Sequence, residues 1–343
     1  MRLGTSADVS VNYRYSGILV HPTSFPSPYG IGDFGKGAYD FIDFLEAAGQ
    51  HLWQILPLNP ITSHGNSPYQ GFSVFAGEPL LISPGLLKAR GLLREEDLRE
   101  IPGFDPVHVD YDAVREYKYP LFRKAYEAFR LSEDEDLQAE YDEFCTKNEV
   151  WLSDYSLFMA LKEEQEGLPW TKWPESLRNL TEENRAFWTE KLEDEIVYHT
   201  FLQFCFYSQW EALKKYANDR GIAIIGDIPI FVSPDGADVW ANRELFQVNE
   251  KGYPSAVAGV PPDYFSATGQ KWGNPLYNWA AHKKEGYRWW IARVRHLLEQ
   301  ADYVRVDHFR GFEAYWEVPV DAENAISGEW KKGPGEELFR AIH

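Results

Sequence analysis

The stretch Ala301-Asp-Tyr-Val-Arg-Val-Asp-His-Phe-Arg-Gly-Phe-Glu-Ala-Tyr-Trp-Glu-Val-Pro319 constrains the chain more than any other. Its first residues alternate and are rich in β-branched side chains, which predicts a strand over Asp302 to Asp307. Side chains alternate across a strand, so Val304 and Val306 share one face and Tyr303, Arg305 and Asp307 the other. A carboxylate therefore stands at the strand's C-terminal end with a cation two residues behind it. In a parallel α/β sheet or barrel that end carries the chemistry, because loops converge there on a substrate. Asp307 is the first candidate catalytic group, and an Arg-Asp ion pair at a sheet rim is the alternative reading.

The rest of the chain alternates in a compatible way. Gly17-Ile-Leu-Val-His21 reads as a first strand, Lys36 to Ala48 as a helix, and His51-Leu-Trp-Gln-Ile-Leu56 as a second strand. Between them lies a literal GxGxxG, Gly30-Ile-Gly32-Asp-Phe-Gly35. Pro22, Pro26 and Pro28 separate it from the strand, and the second strand ends without an acid, so a dinucleotide site is rejected. From 58 to 200 the alternation is interrupted by predicted helices, Tyr119 to Leu131, Asp134 to Asn148 and Trp151 to Glu163. We read this as an inserted helical subdomain between a barrel start at 1–57 and a continuation at 201–343. The acidic run Ser132-Glu-Asp-Glu-Asp136 suits a solvated helix start, and Trp170, Trp173 and Trp188 read as packing.

Alternation resumes with a helix from Glu195 to Asp219 and a strand Ile222-Ala-Ile-Ile-Gly-Asp227, where a second carboxylate stands at a strand's end. A long loop runs from Pro229 past Asn278, then a helix from Gly286 to Gln300 leads into the opening strand. Strands followed by helices make a right-handed parallel series, either doubly wound or a barrel. Long loops after the strands, acids at strand ends and no phosphate-binding turn favour the barrel. Within the long loop, Val257 to Asn274 is rich in Pro and Gly yet carries Tyr264, Phe265 and Trp272, which suits a lid over a sugar chain. A loop tucked onto the insertion is the alternative. Ser67-Pro-Tyr69 offers another aromatic platform after the second strand.

Charge and cysteine content narrow the partners. A net charge of -19 repels phosphate backbones and anionic headgroups, which argues against nucleic acid and membrane partners and for a neutral small molecule. Aromatics reach 16%, good platforms for sugar faces and equally good core filler. Cys145 and Cys205 make no disulfide framework and no Cys/His set has metal spacing. Met1 to Asp8 lacks a signal-peptide core, so we expect a cytoplasmic protein.

Several long motifs resemble one family, the amylomaltases or disproportionating enzymes, which are 4-α-glucanotransferases. They are Ser67-Pro-Tyr-Gln70, Trp151 to Lys162, Gly226-Asp-Ile-Pro-Ile-Phe-Val232, Val257 to Phe265, Gln270-Lys-Trp-Gly-Asn-Pro-Leu-Tyr277 and Arg305-Val-Asp-His-Phe-Arg-Gly311. The resemblance implies an α/β fold, a (β/α)8 TIM barrel of which this chain covers the first four units, with the helical insertion after the second strand. It implies transfer of α-1,4-glucan segments by a retaining mechanism, with Asp307 as nucleophile and Arg305 beside it. Asp227, His308 and Tyr69 would line the site at the cleaved sugar, with Ser67, Gln270, Trp272 and Asn274 contacting substrate and Tyr264 and Phe265 forming the lid. Maltose, malto-oligosaccharides and starch- or glycogen-derived glucans are the implied partners, with no metal or organic cofactor.

A retaining mechanism needs a second carboxyl about 5 to 5.5 Å from the first. The family's motif for it, Ala-Glu-Asp-Leu-Gly, does not occur here, and Glu313, Glu317, Glu336 and Glu337 do not match it. We therefore expect the chain to be the N-terminal part of a longer enzyme, truncated before the fifth strand and inactive alone. The alternatives are a non-catalytic glucan-binding relative and a hydrolase of the same glucans. Two departures from the family are Glu78, where Asn is usual, and His64, where some members carry an aromatic.

Overall fold

Short apolar runs bounded by turn residues become parallel strands where neighbours cover both faces. The computed structural model describes residues 14–62 and 65–343, so His64 and the Met1 to Asp8 segment lie outside the described residues. The described residues form strands β1 (Gly17–Leu19), β2 (Leu52–Gln54), β3 (Ala223–Ile228), β4 (Ala256–Val260), β5 (Gln270–Pro275), β6 (Tyr303–Val306), β7 (Ala314–Pro319) and β8 (Glu329–Lys332). They make two sheets, with orders β1-β2-β3-β6 and β5-β4-β7-β8.

The first sheet is parallel throughout, and its register fixes the site. Trp53 pairs with Ile18 on one side and Ile224 on the other, and Asp227 stands opposite Arg305. Trp53 is fully buried, and its indole donates to Val20 O at 2.9 Å. Helix Lys36–Ala47 packs here through Ala38, Ile42 and Leu45, and helix Glu193–Asp219 through a longer apolar side that includes Trp210. Helix Arg288–Gln300 lies against β3, as Gly226 shows: a Cβ there would stand 2.9 Å from the Ala301 Cβ and 3.2 Å from Leu297. Gly226 alternates with Asp227, so Asp227 and Arg305 point to the face away from this helix.

The second sheet corrects the expectation of one long loop from Pro229 past Asn278. That segment contains β4, β5 and a short helix, Ala237–Ala241, and β4 pairs antiparallel with both β5 and β7. Gly259 serves close approach and not looseness: a Cβ there would stand 2.3 Å from Gln270 O on the neighbouring strand. The pairing with β7 joins Ala256 to Pro319, a separation no local pattern reveals.

Helix boundaries shift as well. The two helices expected over Asp134 to Asn148 and Trp151 to Glu163 are one, Glu135–Glu164. Asn148 does not end it, because its amide donates to Phe144 O at 2.9 Å and accepts from the Trp151 indole at 3.1 Å. The helix expected from Tyr119 starts at Tyr111, capped by the Asp110 carboxylate, and carries Pro120 inside it. The Gly30–Gly35 segment is a buried turn: Asp33 accepts from Gly35 N at 2.8 Å and lies 3.5 Å from the buried Lys118 ammonium. Trp170 and Trp173 are buried, as packing requires. Helix Glu193–Asp219 runs across position 200, and one apolar core takes residues from the parallel sheet and the helical segment alike. No helix among the described residues is long and apolar enough to cross a membrane.

Candidate active site

Two strand ends build the polar centre. Arg305 reaches across from β6 to Asp227 on β3, Nη1 to Oδ1 at 2.6 Å, and its Nη2 meets Asp307 Oδ1 at 2.6 Å. Each carboxylate thus has its own terminal nitrogen, an arrangement an ammonium could not reproduce. Burial works against the charge of Arg305, but the hydrogen bonds and charges of Asp227 and then Asp307 outweigh it and raise the guanidinium's pKa. Asp227 is 1% exposed in its side chain and Asp307 41%. The first is therefore a fixed support and the second a reactive candidate open to ligand.

Tyr69 closes the network from the other side. Its hydroxyl donates to Asp227 Oδ2 at 2.8 Å, and burial together with that carboxylate raises the phenol's pKa, so it stays protonated. A turn places it: Gln70 N donates to Ser67 O at 3.1 Å and Tyr69 N to Ser67 Oγ at 3.3 Å. Asp307 is itself held by its N–H on Ile228 O at 3.0 Å.

Beyond Asp307 the chain turns sharply. His308 has φ 49°, a left-handed conformation that costs a non-glycine residue energy and must be held by its surroundings. Its ring packs edge-on against Trp272, centroids 5.1 Å apart and planes at 85°. Burial lowers its pKa against the opposing pull of Asp307, so the ring is neutral at neutral pH, and its buried Nε2 has no hydrogen-bond partner among the described residues. Trp272 in turn donates to Gln270 Oε1 at 3.0 Å.

These groups border an open cleft of about 460 Å³ lined by Ser67, Tyr69, Gln70, Pro229, Ile230, Phe231, Lys271, Trp272, Asn274, Asp307 and His308. Aromatic walls around one accessible carboxylate suit a neutral polyhydroxy ligand. Of the groups that stiffen one wall, sequence reasoning missed Arg293 and Tyr277 and read Asn274 as a substrate contact. Buried Arg293 donates to Ile230 O at 3.1 Å and to Pro229 O, Tyr277 OH donates to Ile230 O at 2.7 Å, and Asn274 Nδ2 to Val232 O at 2.7 Å. The available signal was an arginine on the apolar side of a helix, among Trp289, Trp290 and His296.

The structure thus brings Ser67, Tyr69, Asp227, Trp272, Asn274, Arg305, Asp307 and His308 together, with Gln270 beside Trp272. It leaves Tyr264 and Phe265 apart from the cleft wall: they stand 97% and 88% exposed at the tip of the β4–β5 hairpin. Asp263 Oδ1 holds that tip by accepting from Phe265 N at 2.9 Å and Ser266 N at 2.8 Å. Of the other carboxyls, Glu317 lies 3.7 Å from Lys331, Glu336 2.8 Å from Arg340 and Glu337 2.8 Å from Lys283. Glu78 is buried as a backbone clamp, accepting from Ile61 N at 2.6 Å and Leu80 N at 2.9 Å. Glu163, Glu195 and His199 have ligand atoms within 4.8 Å of one another, but Arg123 already bonds Glu195 and lies 3.6 Å from Glu163, where a metal ion would sit.

Residues 20–343 match the model of a family described as 4-alpha-glucanotransferase. The chain belongs to this family. It is 50% identical over 330 residues to a 4-alpha-glucanotransferase of Aquifex aeolicus, covering 96% of this chain and 66% of that protein. A Thermus thermophilus relative of the same description is 48% identical, with 96% and 65% covered. The chain therefore spans just under two thirds of the length of these family members. A solved structure of the amylomaltase of Streptococcus agalactiae in complex with acarbose superposes with a TM-score of 0.92 at 43% identity, over 96% of this chain and 66% of that one. The amylomaltase of Corynebacterium glutamicum, at 20% identity and TM-score 0.78, supports the α/β fold alone.

Proposed function

We propose that the cleft binds an α-1,4-glucan and that Asp307 is the nucleophile of a retaining 4-α-glucanotransferase. The observation that carries this reading is the relay Tyr69–Asp227–Arg305–Asp307, in which Asp227 is buried and Asp307 is the one carboxylate of the two open to the cleft. Asp307 attacks the anomeric carbon, the bond to the leaving 4-oxygen breaks, and a glucosyl ester forms. Arg305 keeps the attacking carboxylate ionised and aimed. Neutral His308 and the Trp272 face border the same sugar, and Ser67, Gln270 and Asn274 fix neighbouring segments or contact it. Malto-oligosaccharides and longer glucans are the substrates on this reading, with Tyr264 and Phe265 engaging chain beyond the cleft.

The leaving 4-oxygen needs a proton and the acceptor hydroxyl must lose one. Among the described residues lining the cleft, Asp307 is the only carboxyl. We therefore propose that the acid/base lies outside this set and that the 343 residues alone bind glucan without turning it over. The parallel sheet is, on the same reading, part of a (β/α)8 barrel, with residues 58–200 as an insertion that carries Ser67 to Gln70 to its rim.

The test is incubation with maltotriose and with a fluorinated glucosyl donor that slows the second step. In the full-length enzyme, longer oligomers should form and the label should appear on the peptide carrying Asp307. Label on another carboxyl would sink the assignment, and glucose with no longer oligomers would favour a hydrolase. Saturable maltoheptaose binding with no turnover by any form would leave a glucan-binding relative.

A further inference from the structure

We propose that a second pocket, walled by Arg178, Arg185 and Arg243, is a binding site for a phosphate group. It is separate from the cleft, shares no residue with it, and measures about 400 Å³, the size of a small organic ligand. Three guanidinium groups converge on it in a chain of net charge -19. They come from three places: the end of helix Glu175–Arg178, helix Glu182–Lys191, and the turn Arg243–Leu245.

Their partners leave positive charge uncompensated. Arg243 makes no ion pair among the described residues; it donates to Asn179 Oδ1, to Glu250 O at 2.9 Å and to the backbone oxygen of Arg178. Its Nε is buried without a partner, and its cation is disfavoured first by burial and then by the neighbouring Arg178. Arg178 donates from Nε to Trp173 O at 3.0 Å, and its two terminal nitrogens have no hydrogen bond among the described residues. Arg185 alone has a carboxylate, Asp154 at 2.6 Å through Nη2. Glu244, exposed on the rim, is the other acid facing the group.

The terminal nitrogens of Arg178 and the remaining edge of Arg185 thus offer planar donor forks above the fixed charge of Arg243. Such forks match the oxygens of a dianionic phosphate better than a single carboxylate or a halide. The phosphate could be free or carried on a small metabolite, and Asn179 with Trp240 gives an uncharged wall for the latter.

Calorimetric titration of the protein with inorganic phosphate at low ionic strength tests this. Saturable binding is expected at a Kd of about 1 mM or below, undiminished by equimolar chloride. Arg178→Gln, which keeps the backbone oxygen that Arg243 uses, should weaken it about tenfold or more. Glu244→Gln leaves every arginine in place and should tighten it. Tighter binding of glucose 6-phosphate than of phosphate assigns an organic phosphate; equal or weaker binding assigns the free anion. Absence of saturation, or an affinity that neither variant moves, overturns the proposal.

Discussion

Arg305 commits one terminal nitrogen to each of two carboxylates, and the consequences for single substitutions follow from that. Asp307→Asn keeps the shape and removes the charge that attacks, so transfer should fall roughly a thousandfold or more while maltoheptaose affinity changes little. Steady-state assays on a form that turns over maltotriose, beside calorimetry, read the two effects separately. Tyr69→Phe removes a donor from the buried Asp227 carboxylate, a loss of about 1.5 to 3 kcal/mol for a bond to a charged group. Urea unfolding at neutral pH measures it, and an unchanged midpoint would mean water replaces the phenol. The strand-end positions of Asp227 and Asp307 were legible from a period of two. Their connection was not, because Tyr69 and Asp227 are 158 residues apart and Asp227 and Arg305 are 78.

Elements were legible where one residue pattern dominates and illegible where pairing is distant. Helices Lys36–Ala47 and Glu193–Asp219 fell within two residues of expectation, since apolar spacing and the glycines after them are local signals. The sheet β5-β4-β7-β8 escaped because Pro and Gly in Val257 to Asn274 resemble loop composition, while the partner strand lies some sixty residues away. Gly259→Ala tests that sheet: the new methyl must displace the Gln270 backbone, costing about 1 to 3 kcal/mol. Glucan affinity should drop with it, because β5 carries Trp272 into the cleft. Helix Arg288–Gln300 carries a pH-sensitive group, His296, whose Nε2 lies 2.7 Å from Phe75 O and 2.8 Å from Tyr207 OH. Burial lowers its pKa to about 4, so the folded state favours the neutral ring. The stability this gives is present above the unfolded value of about 6.5 and is lost as pH falls toward 4. His296→Gln should therefore flatten the acid side of the stability profile relative to the parent, as melting scans from pH 7 to 4 would show; parallel profiles would contradict it.

At the scale of the whole molecule the parallel sheet is open. Among the described residues β1 and β6 each pair on one side only, and Leu19 and Phe309 nearby are 56% and 57% exposed. Unpaired strand edges beside apolar side chains favour association. The 343-residue protein should therefore self-associate as concentration rises, despite its net charge of -19. Sedimentation velocity over a concentration series checks this, and a single monomeric species with cooperative melting would refute it. The four strands of this sheet were legible from the sequence, because strand-helix units need only local signals, whereas closure or its lack is a global property that such signals do not carry. The register of β3 against β6 has a further meaning. A slip by one residue would turn Arg305 and Asp307 together to the helix side and leave buried Asp227 unmatched. The ion-paired centre thus works as a checksum on assembly: a copy folded out of step carries its own veto on reactivity, so misassembled protein would be silent instead of indiscriminate.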